Sequence, residues 1–322
     1  ATIWEIPLPI GPGGGPLPIR WGQVGAASMI LLLAGINYLG VRISGGGQIF
    51  FTVSKLILIF ALVAAGLLLG SGSASHFTDT VPAAGGFGGF FGALVAALWA
   101  YDGWNNVSMV SSEIKRPSRN LPMALIAGTV TVMVVYLLTN LAYFYVLSPE
   151  EVSASDRVAS EMMRRILGEG GAAVVSVAAM VSMFAALNGS ILSGSRIPYA
   201  MARDGLFPRW LARVDPIYHV PGEAVLFLSF LSSILVFSGR YEEIITYVIF
   251  TSWILYAMTT ASVIVLRRKR PDLARPYRTL GYPVLPLLFV AAAGAILVST
   301  LFESPRESII GLSAIAVAWP LY

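Results

Sequence analysis

Two charged residues lie inside long apolar runs, where solubility cannot explain them. Lys55 is the only charged residue in the run Gly45–Leu69, and Asp102 is the only one in Gly85–Val110. A charge within a bilayer is costly, so it usually faces a partner, water or a cavity. Both residues are therefore candidates for binding or coupling. The alternatives are a lysine whose long side chain reaches the membrane interface and an aspartate hydrogen-bonded in a packed kink.

The segment around Asp102 is predicted to interrupt its helix. Gly103 and the pair Asn105–Asn106 are weak helix formers. Broken helices are tolerated at membrane depth where they line a cavity, and in secondary transporters the broken ends bind substrate and ions. We expect the carbonyl groups of residues 98–100 to accept a cation or an ammonium group. A half-helix from Asn105 would offer N–H groups to an anion.

A second polar cluster falls at the end of the run Ala172–Leu192 and just beyond it. Asn188, Ser190, Ser193 and Ser195 place an amide and three hydroxyl groups there. Hydroxyl groups in apolar helices commonly bond to their own backbone, so a structural role is the alternative. The only two histidines, His76 and His219, are far apart in sequence and do not predict a metal site.

Nine charge-poor apolar runs must position these residues. Most are long enough to cross about 30 Å of hydrocarbon as helices, and they show no strand-like alternation. The runs are Trp21–Val41, Gly45–Leu69, Gly85–Val110, Met123–Leu147, Ala172–Leu192, Ala224–Phe237, Ile244–Leu266, Pro283–Leu301 and Ser308–Tyr322. The segment Pro149–Gly168 repeats apolar residues at helical spacing and is predicted to be a short amphipathic surface helix.

The composition excludes most soluble classes of protein. Hydrophobic residues make up 56% of the 322 residues and charged residues only 12%, against about 25% charged in soluble domains. A net charge of +4 does not indicate a nucleic-acid binder, and the absence of cysteine excludes thiolate metal sites and disulfides within this sequence. The sequence begins at Ala1 and its last apolar run is short. We therefore expect it to be part of a longer protein.

Basic residues predict the orientation in the membrane. With nine consecutive spans, 15 of the 21 lysines and arginines fall on one side. Basic residues accumulate in cytoplasmic loops. We therefore expect Ala1–Arg20 to be an extracellular loop, and the loops Ser112–Leu121, Arg196–Glu223 and Arg267–Tyr282 to be cytoplasmic.

Three motifs together resemble the amino acid–polyamine–organocation transporters, and most closely the L-type amino acid transporter branch and its bacterial relatives. They are AYDGWNN followed by SSEIKRPSRNLP, NGSILSGSRIPYAMARDG, and NYLGVRISGGGQIFFTVSKL. The resemblance implies an all-α polytopic membrane protein with the LeuT-like fold of two inverted five-helix repeats. The nine spans would be family helices four to twelve, and the first three helices would be absent.

The same resemblance implies domain boundaries. Residues 1–20 would form the extracellular loop, and residues 21–84 the last two helices of the first repeat. Residues 85–266 would form the second repeat, and residues 267–322 two accessory helices, the last of them truncated.

The resemblance also implies roles for particular residues. Lys55 matches a lysine that occupies the place of sodium in sodium-coupled relatives. Trp99 matches an aromatic gate, Ala100 and Tyr101 match the unwound backbone that receives the substrate's ammonium group, and Asn105 matches a polar residue beside the substrate. Asn188 and Ser190 match a region near the lysine more loosely. Asp102 departs from the glycine of animal L-type members, which puts a preference for large neutral side chains in doubt.

We therefore predict a sodium-independent secondary amino acid transporter of the cell membrane that works by alternating access, as an exchanger or a proton-coupled symporter. The alternative is a non-transporting sensor or assembly protein that keeps the fold. No HExxH or GxSxG motif indicates an enzyme. Its partners would be an amino acid and the lipid bilayer, with no cofactor and no nucleic acid. Because residues 1–20 contain no cysteine, a disulfide-linked heavy subunit is not implied.

Overall fold

The computed structural model describes most of the chain as helix. The described residues are 2–6, 17–79, 86–238, 241–275, 277–303 and 305–318. In chain order the helices are α1 (Trp21–Tyr38), α2 (Val41–Leu69), α3 (Gly86–Ala100), α4 (Asn106–Met109), α5 (Pro117–Val146), α6 (Pro149–Ser153), α7 (Val158–Gly194), α8 (Arg196–Arg203), α9 (Gly222–Ser238), α10 (Tyr241–Lys269), α11 (Val284–Glu303) and α12 (Pro305–Ala318).

Each of the nine predicted apolar runs overlaps at least one of these helices. Five helical segments of the described chain are both long and apolar enough to cross a membrane, so the predicted count of nine spans is not established. The five are Gly46–Leu69, Pro117–Val146, Val158–Arg203, Val248–Lys269 and Val284–Phe302. Gly222–Phe237 is apolar but shorter, as expected from the run Ala224–Phe237.

Part of the predicted extracellular loop is a small sheet. β1 (Thr2–Ile6) pairs antiparallel with β2 (Leu17–Arg20), and Arg20 is followed directly by α1. Most of the Pro/Gly-rich segment between the strands, residues 7–16, lies outside the described residues.

Three buried clusters hold the helices together. One joins α1, α7 and α9 through residues such as Leu33, Ile191 and Val225. A second joins α2, α5 and α7 at the predicted outer end, where Gly66 allows close approach: a Cβ there would lie 3.0 Å from Ala142 Cβ and 3.1 Å from Met162 Sδ. The third is formed by α8, α9 and the 3₁₀ turn Arg209–Ala212.

The predicted surface helix over Pro149–Gly168 is wrong in extent but right in its buried face. The chain forms α6, whose first turn is closed by a capping box between Ser148 and Glu151, and then starts α7 at Val158. Gly168, with φ 68°, introduces a kink inside α7. Met162 is fully buried against α2 and α5, with other apolar residues of the segment packed beside it.

Candidate functional site

The predicted helix break is present. α3 ends at Ala100, residues 101–105 form turns, and Gly103 has φ +95°, a conformation that favours glycine. The second half-helix is shorter than predicted. It is the single turn Asn106–Met109, followed by the 3₁₀ turn Ser111–Glu113. The helix is therefore interrupted over five residues, 101–105. The single turn that follows offers few N–H groups to an anion.

The three carbonyl groups expected to receive a cation already accept hydrogen bonds. Leu98 O accepts from the amide of Tyr101 at 3.2 Å, and Trp99 O accepts from the amide of Asp102 at 3.0 Å. Ala100 O accepts from the hydroxyl group of Tyr136 on α5, at 2.7 Å. A carbonyl oxygen has two lone pairs, so each retains one for a ligand.

Asp102 is exposed and is anchored by α10. The hydroxyl group of Tyr256 donates to Asp102 Oδ1 at 3.1 Å. The side chains of Asn105 and Ser252 lie near the same hydroxyl group, and the indole of Trp104 lies edge-on to the Tyr256 ring, with centroids 6.0 Å apart. Tyr256 thus binds one predicted substrate residue, Asp102, and lies near another, Asn105. The carboxylate keeps further lone pairs and faces open space.

A cavity of about 370 Å³ opens between the broken segment and α5. Its walls include Ala100, Tyr101 and Asp102 on one side and Gly128 and Tyr136 on the other. The Tyr101 and Tyr136 rings meet edge-on with centroids 4.9 Å apart. The cavity is bordered by a carboxylate, a phenol and backbone carbonyl groups, a donor and acceptor set that suits a small zwitterion.

Trp99 lies on another side of the segment. It lines a narrow crevice of about 10 Å³ with Asp102 and with residues of α10 such as Trp253. The structure therefore brings Ala100, Tyr101 and Asp102 to the larger cavity, while the predicted gate residue packs toward α10. Asp102 borders both spaces.

Lys55 is half-buried on α2 and forms no hydrogen bond or ion pair with any residue that the structure describes. Asn188, predicted to lie near it, instead hydrogen-bonds to Gln48, two turns earlier on α2, with 3.3 Å between Nδ2 and Oε1. Asn188 Oδ1 also accepts from Asn37 Nδ2 on α1 at 2.9 Å. Ser190 is exposed. The lysine region and the broken segment are thus two separate polar regions in this structure.

The sequence interpretation missed several polar residues that organise these regions. Tyr136 and Tyr256 hold the broken segment, and Asn37 and Gln48 hold Asn188. A phenol or amide in the middle of an apolar run needs a partner, and that signal was available in the sequence. The identity of each partner was not, because it lies on another helix.

An ion pair ties the segment after the break to the end of α7. Arg196 Nε lies 3.1 Å from Glu113 Oε1, and the same guanidinium donates to Leu192 O at 2.6 Å and to Ser195 Oγ at 3.1 Å. The Arg196 side chain is 8% exposed and that of Glu113 is 44% exposed. Among the described residues no group of three or more His, Cys, Asp or Glu side chains could hold a metal ion.

Comparison with known proteins supports a relationship over nearly the whole chain. The family model described as amino acid permease matches residues 19–319. The b(0,+)-type amino acid transporter 1 of Oryctolagus cuniculus is 33% identical over 255 residues, which cover 79% of this chain and 52% of the relative. The serine/threonine exchanger SteT of Bacillus subtilis is 30% identical over 295 residues, covering 89% of this chain and 67% of the relative.

A third relative extends the same pattern. The large neutral amino acids transporter small subunit 2 of Mus musculus is 31% identical over 303 residues, covering 92% of this chain and 56% of the relative. The chain spans about half the length of the first curated relatives it matches. The resemblance to the L-type branch of the amino acid–polyamine–organocation transporters is confirmed, and with it a multi-pass protein of the cell membrane. The chain belongs to the amino acid permease family.

Proposed function

We propose that the protein is a sodium-independent secondary transporter of amino acids that works by alternating access, either exchanging them or coupling them to protons. The observation that carries the proposal is the helix break at residues 101–105, which borders a cavity of about 370 Å³. The names of the relatives point to amino acids as the substrate class. The amino acid is moved without chemical change.

In this proposal the substrate's ammonium group binds the free lone pairs of the carbonyl groups at Trp99–Tyr101. Ala100 O accepts a hydrogen bond from the Tyr136 hydroxyl group, so this carbonyl oxygen is accessible to a donor from outside its own helix. A substrate ammonium group could share this oxygen with the hydroxyl group or displace it. Trp99 closes over the bound amino acid, and Asn105 contributes a polar contact. Asp102 faces the cavity and favours side chains that bring a hydrogen-bond donor or a positive charge.

Lys55 takes the place of a sodium ion on the cytoplasmic half. Its half-buried ammonium group lies inside the run Gly46–Leu69, where an uncompensated charge is costly. Engagement by backbone carbonyl groups in one state of the transport cycle would remove that cost. The half-buried position without a described partner supports a role that changes during the cycle.

The domain arrangement is proposed on the same basis. Residues 21–84 are the last two helices of a first repeat, residues 85–266 a second five-helix repeat, and residues 267–322 two accessory helices. Residues 1–20 lie outside the cell. The described packing of α2 on α5 and α7 and of α10 on α11 and α12 is compatible with this division.

Counterflow in proteoliposomes tests the function. The full-length protein that contains this chain is reconstituted and offered a panel of labelled amino acids, with and without sodium and with and without a pH gradient. We expect uptake of a subset that does not depend on sodium. Lys55→Ala should lower uptake about tenfold or more, equivalent to at least ~1.4 kcal/mol, while Lys269→Ala at the end of α10 should not. Undiminished uptake in Lys55→Ala, or uptake of no amino acid at all, would contradict the proposal.

A second pair of variants tests the role of Asp102. Asp102→Asn keeps an acceptor for Tyr256 but removes the charge, and Asp102→Gly removes both. We expect both variants to shift the ratio of cationic or hydroxylated to neutral apolar substrates by about tenfold. An unchanged substrate profile in both variants would place the aspartate outside the substrate site.

A further inference from the structure

An open groove of about 600 Å³ lies at the start of α5, on the side predicted to be cytoplasmic. Ser111 and Ser118 line the groove near the start of α5, which we call its mouth. Apolar residues further along α5, such as Leu121 and Leu125, form its floor. From Ser118 to Ile126 the lining of α5 extends about 12 Å toward the membrane centre, at 1.5 Å per residue. The groove is therefore polar at its mouth and apolar in depth.

Tyr277 forms the opposite wall and connects the groove to the loop between α10 and α11. Two arginines contact the backbone or a ring of this loop, Arg267 from the last turn of α10 and Arg275 from the loop itself. The Arg267 guanidinium lies over the Tyr282 ring, 3.7 Å from its centroid, and Arg275 donates to the carbonyl groups of Arg270, Pro271 and Leu273. The groove is thus bordered by α5 on one side and by this loop on the other.

Both segments are strongly basic. Residues 111–119 and 266–280 together contain nine lysines and arginines but only two acids. The two acids are already paired, Glu113 with Arg196 and Asp272 with Arg270. Arg116, Arg119 and Arg278 are exposed and adjacent in sequence to groove residues, and Lys115, two residues before Pro117, is exposed as well. None of these four cations has an ion pair with any residue of the described chain.

We propose that this groove binds an anionic phospholipid of the cytoplasmic leaflet. One acyl chain lies along Leu121, Leu125 and Ile126, and the phosphate sits at the mouth among the unpaired cations. Basic clusters beside a membrane span attract anionic lipids. Charge complementarity selects this occupant, because a zwitterionic lipid brings no net negative charge and an apolar peptide would leave the cations unpaired.

The general excess of basic residues in cytoplasmic loops makes a different prediction from a specific lipid site. Arg268 and Lys269 belong to the same basic loop and are also exposed, but they are not next to groove residues in sequence. General attraction of anionic lipid to the basic surface would depend equally on all of these cations. A lipid site depends on the cations at the groove mouth and on the apolar floor.

Native mass spectrometry of the full-length protein distinguishes a lipid site in the groove from general attraction of anionic lipid to the basic surface. The protein is purified in detergent with equal amounts of phosphatidylglycerol and phosphatidylcholine, and the bound lipids are counted. We expect preferential retention of phosphatidylglycerol, and a loss of about tenfold in the double variant Lys115→Gln/Arg119→Gln. The matched double variant Arg268→Gln/Lys269→Gln should retain it at the original level.

A second pair of variants tests the floor without changing any charge. Leu121→Trp fills the groove and should lower phosphatidylglycerol retention, whereas Leu137→Trp, on an exposed face of the same helix, should not. Equal retention of the two lipids would overturn the proposal and would indicate a groove filled by another part of the protein. Equal losses in both double variants, or full retention by Leu121→Trp, would also overturn it.

Discussion

Polar side chains have different partners in two regions of the protein. One region is the scaffold formed by α1, α2, α7 and α9, and the other is the broken segment 101–105. In the scaffold, Asn37 and Asn188 are buried and hydrogen-bonded to each other across two helices. In the broken segment, Asp102 is exposed, and single hydroxyl groups of Tyr136 and Tyr256 hold the chain in place. These two scaffold amides bond to each other inside the protein, whereas Asp102 and Ala100 O can exchange a hydroxyl group for a ligand.

This contrast leads to a general expectation for substitutions. Changes in the scaffold should lower the melting temperature of the protein, because they disturb buried contacts. Changes in the broken segment should alter transport with little effect on the melting temperature, because its contacts are few and exposed. Three substitutions, at Gly222, Glu113 and Tyr256, and a pH titration of Asp215 test this expectation, in order of decreasing expected effect on stability.

Gly222→Ala is expected to have the largest effect. A Cβ at Gly222, the first residue of α9, would clash with Tyr38 Cε2 and lie 2.9 Å from its Cδ2. The ring cannot move away easily, because its hydroxyl group donates to Asp215 Oδ2 at 3.1 Å and the ring makes an edge-type contact with that of Tyr218. Overpacking of this kind costs about 1–3 kcal/mol, measured as a lower melting temperature in detergent.

A matched control separates the clash from the general effect of alanine. No atom lies within 4 Å of a Cβ built at Gly25 in α1, so Gly25→Ala should be neutral or stabilising by up to about 1 kcal/mol. If the two variants melt alike, the contact between α1 and α9 does not fix the scaffold.

Glu113→Gln tests the ion pair with Arg196, which connects the segment after the helix break to the scaffold. The substitution leaves the buried Arg196 guanidinium without its counter-charge, although its bonds to Leu192 O and Ser195 Oγ remain. Removing one partner of a fully buried pair costs 3–5 kcal/mol. We expect about 1–2 kcal/mol here, because the Glu113 side chain is 44% exposed and is screened by water.

The exposed pair Arg270–Asp272, with 3.9 Å between Nε and Oδ1, provides the comparison. Asp272→Asn should change the free energy of unfolding by less than about 0.5 kcal/mol. Equal melting temperatures for Glu113→Gln and Asp272→Asn would mean that the Glu113–Arg196 pair does not hold the two regions together.

The parts of the structure that follow from local sequence could be predicted, and those that depend on distant partners could not. The break at Gly103 was predictable because glycine and asparagine disfavour helix at that point. The partners of that segment were not, since Tyr136 is 36 residues from Ala100 and Tyr256 is 154 residues from Asp102. Which helix faces which is decided by packing between spans, and apolar periodicity does not encode that choice.

The lysine region shows the same limit. Asn188 was placed near Lys55 from resemblance, and the structure does bring its helix against α2. Asn188 hydrogen-bonds to Gln48, two turns before Lys55, because α2 and α7 meet in a register that sequence spacing does not set. The position of Lys55 within an apolar run was predictable, whereas its partner in the transport cycle stays a prediction.

Tyr256→Phe contrasts the broken segment directly with the scaffold. Removing the hydroxyl group frees Asp102 but leaves the ring packed against Trp104 and Trp253. We expect a change of less than about 0.5 kcal/mol in stability, together with a measurable shift in substrate preference in counterflow. Asn188→Ala, which removes a buried amide, should cost about 0.5–1.5 kcal/mol. A larger loss of stability in Tyr256→Phe than in Asn188→Ala would reverse the proposed contrast.

The smallest expected effect is a pH dependence in the loop before α9, on the side predicted to be cytoplasmic. Hydrogen bonds from the amides of Tyr218 and Ile217 to Asp215 Oδ1, at 2.9 and 2.8 Å, hold the pKa of this carboxyl group below its ordinary value, and the hydroxyl group of Tyr38 assists. A lowered folded-state pKa stabilises the loop above the unfolded-state value of about 3.9, and this contribution is lost as the pH falls through the lower folded-state value. We therefore expect the amides of Ile217 and Tyr218 to stay protected from hydrogen exchange down to about pH 4 and to lose protection below it.

Asp215→Asn, which keeps an oxygen acceptor but cannot titrate, should show no such step. A step of the same size in both proteins would mean that another group controls the loop.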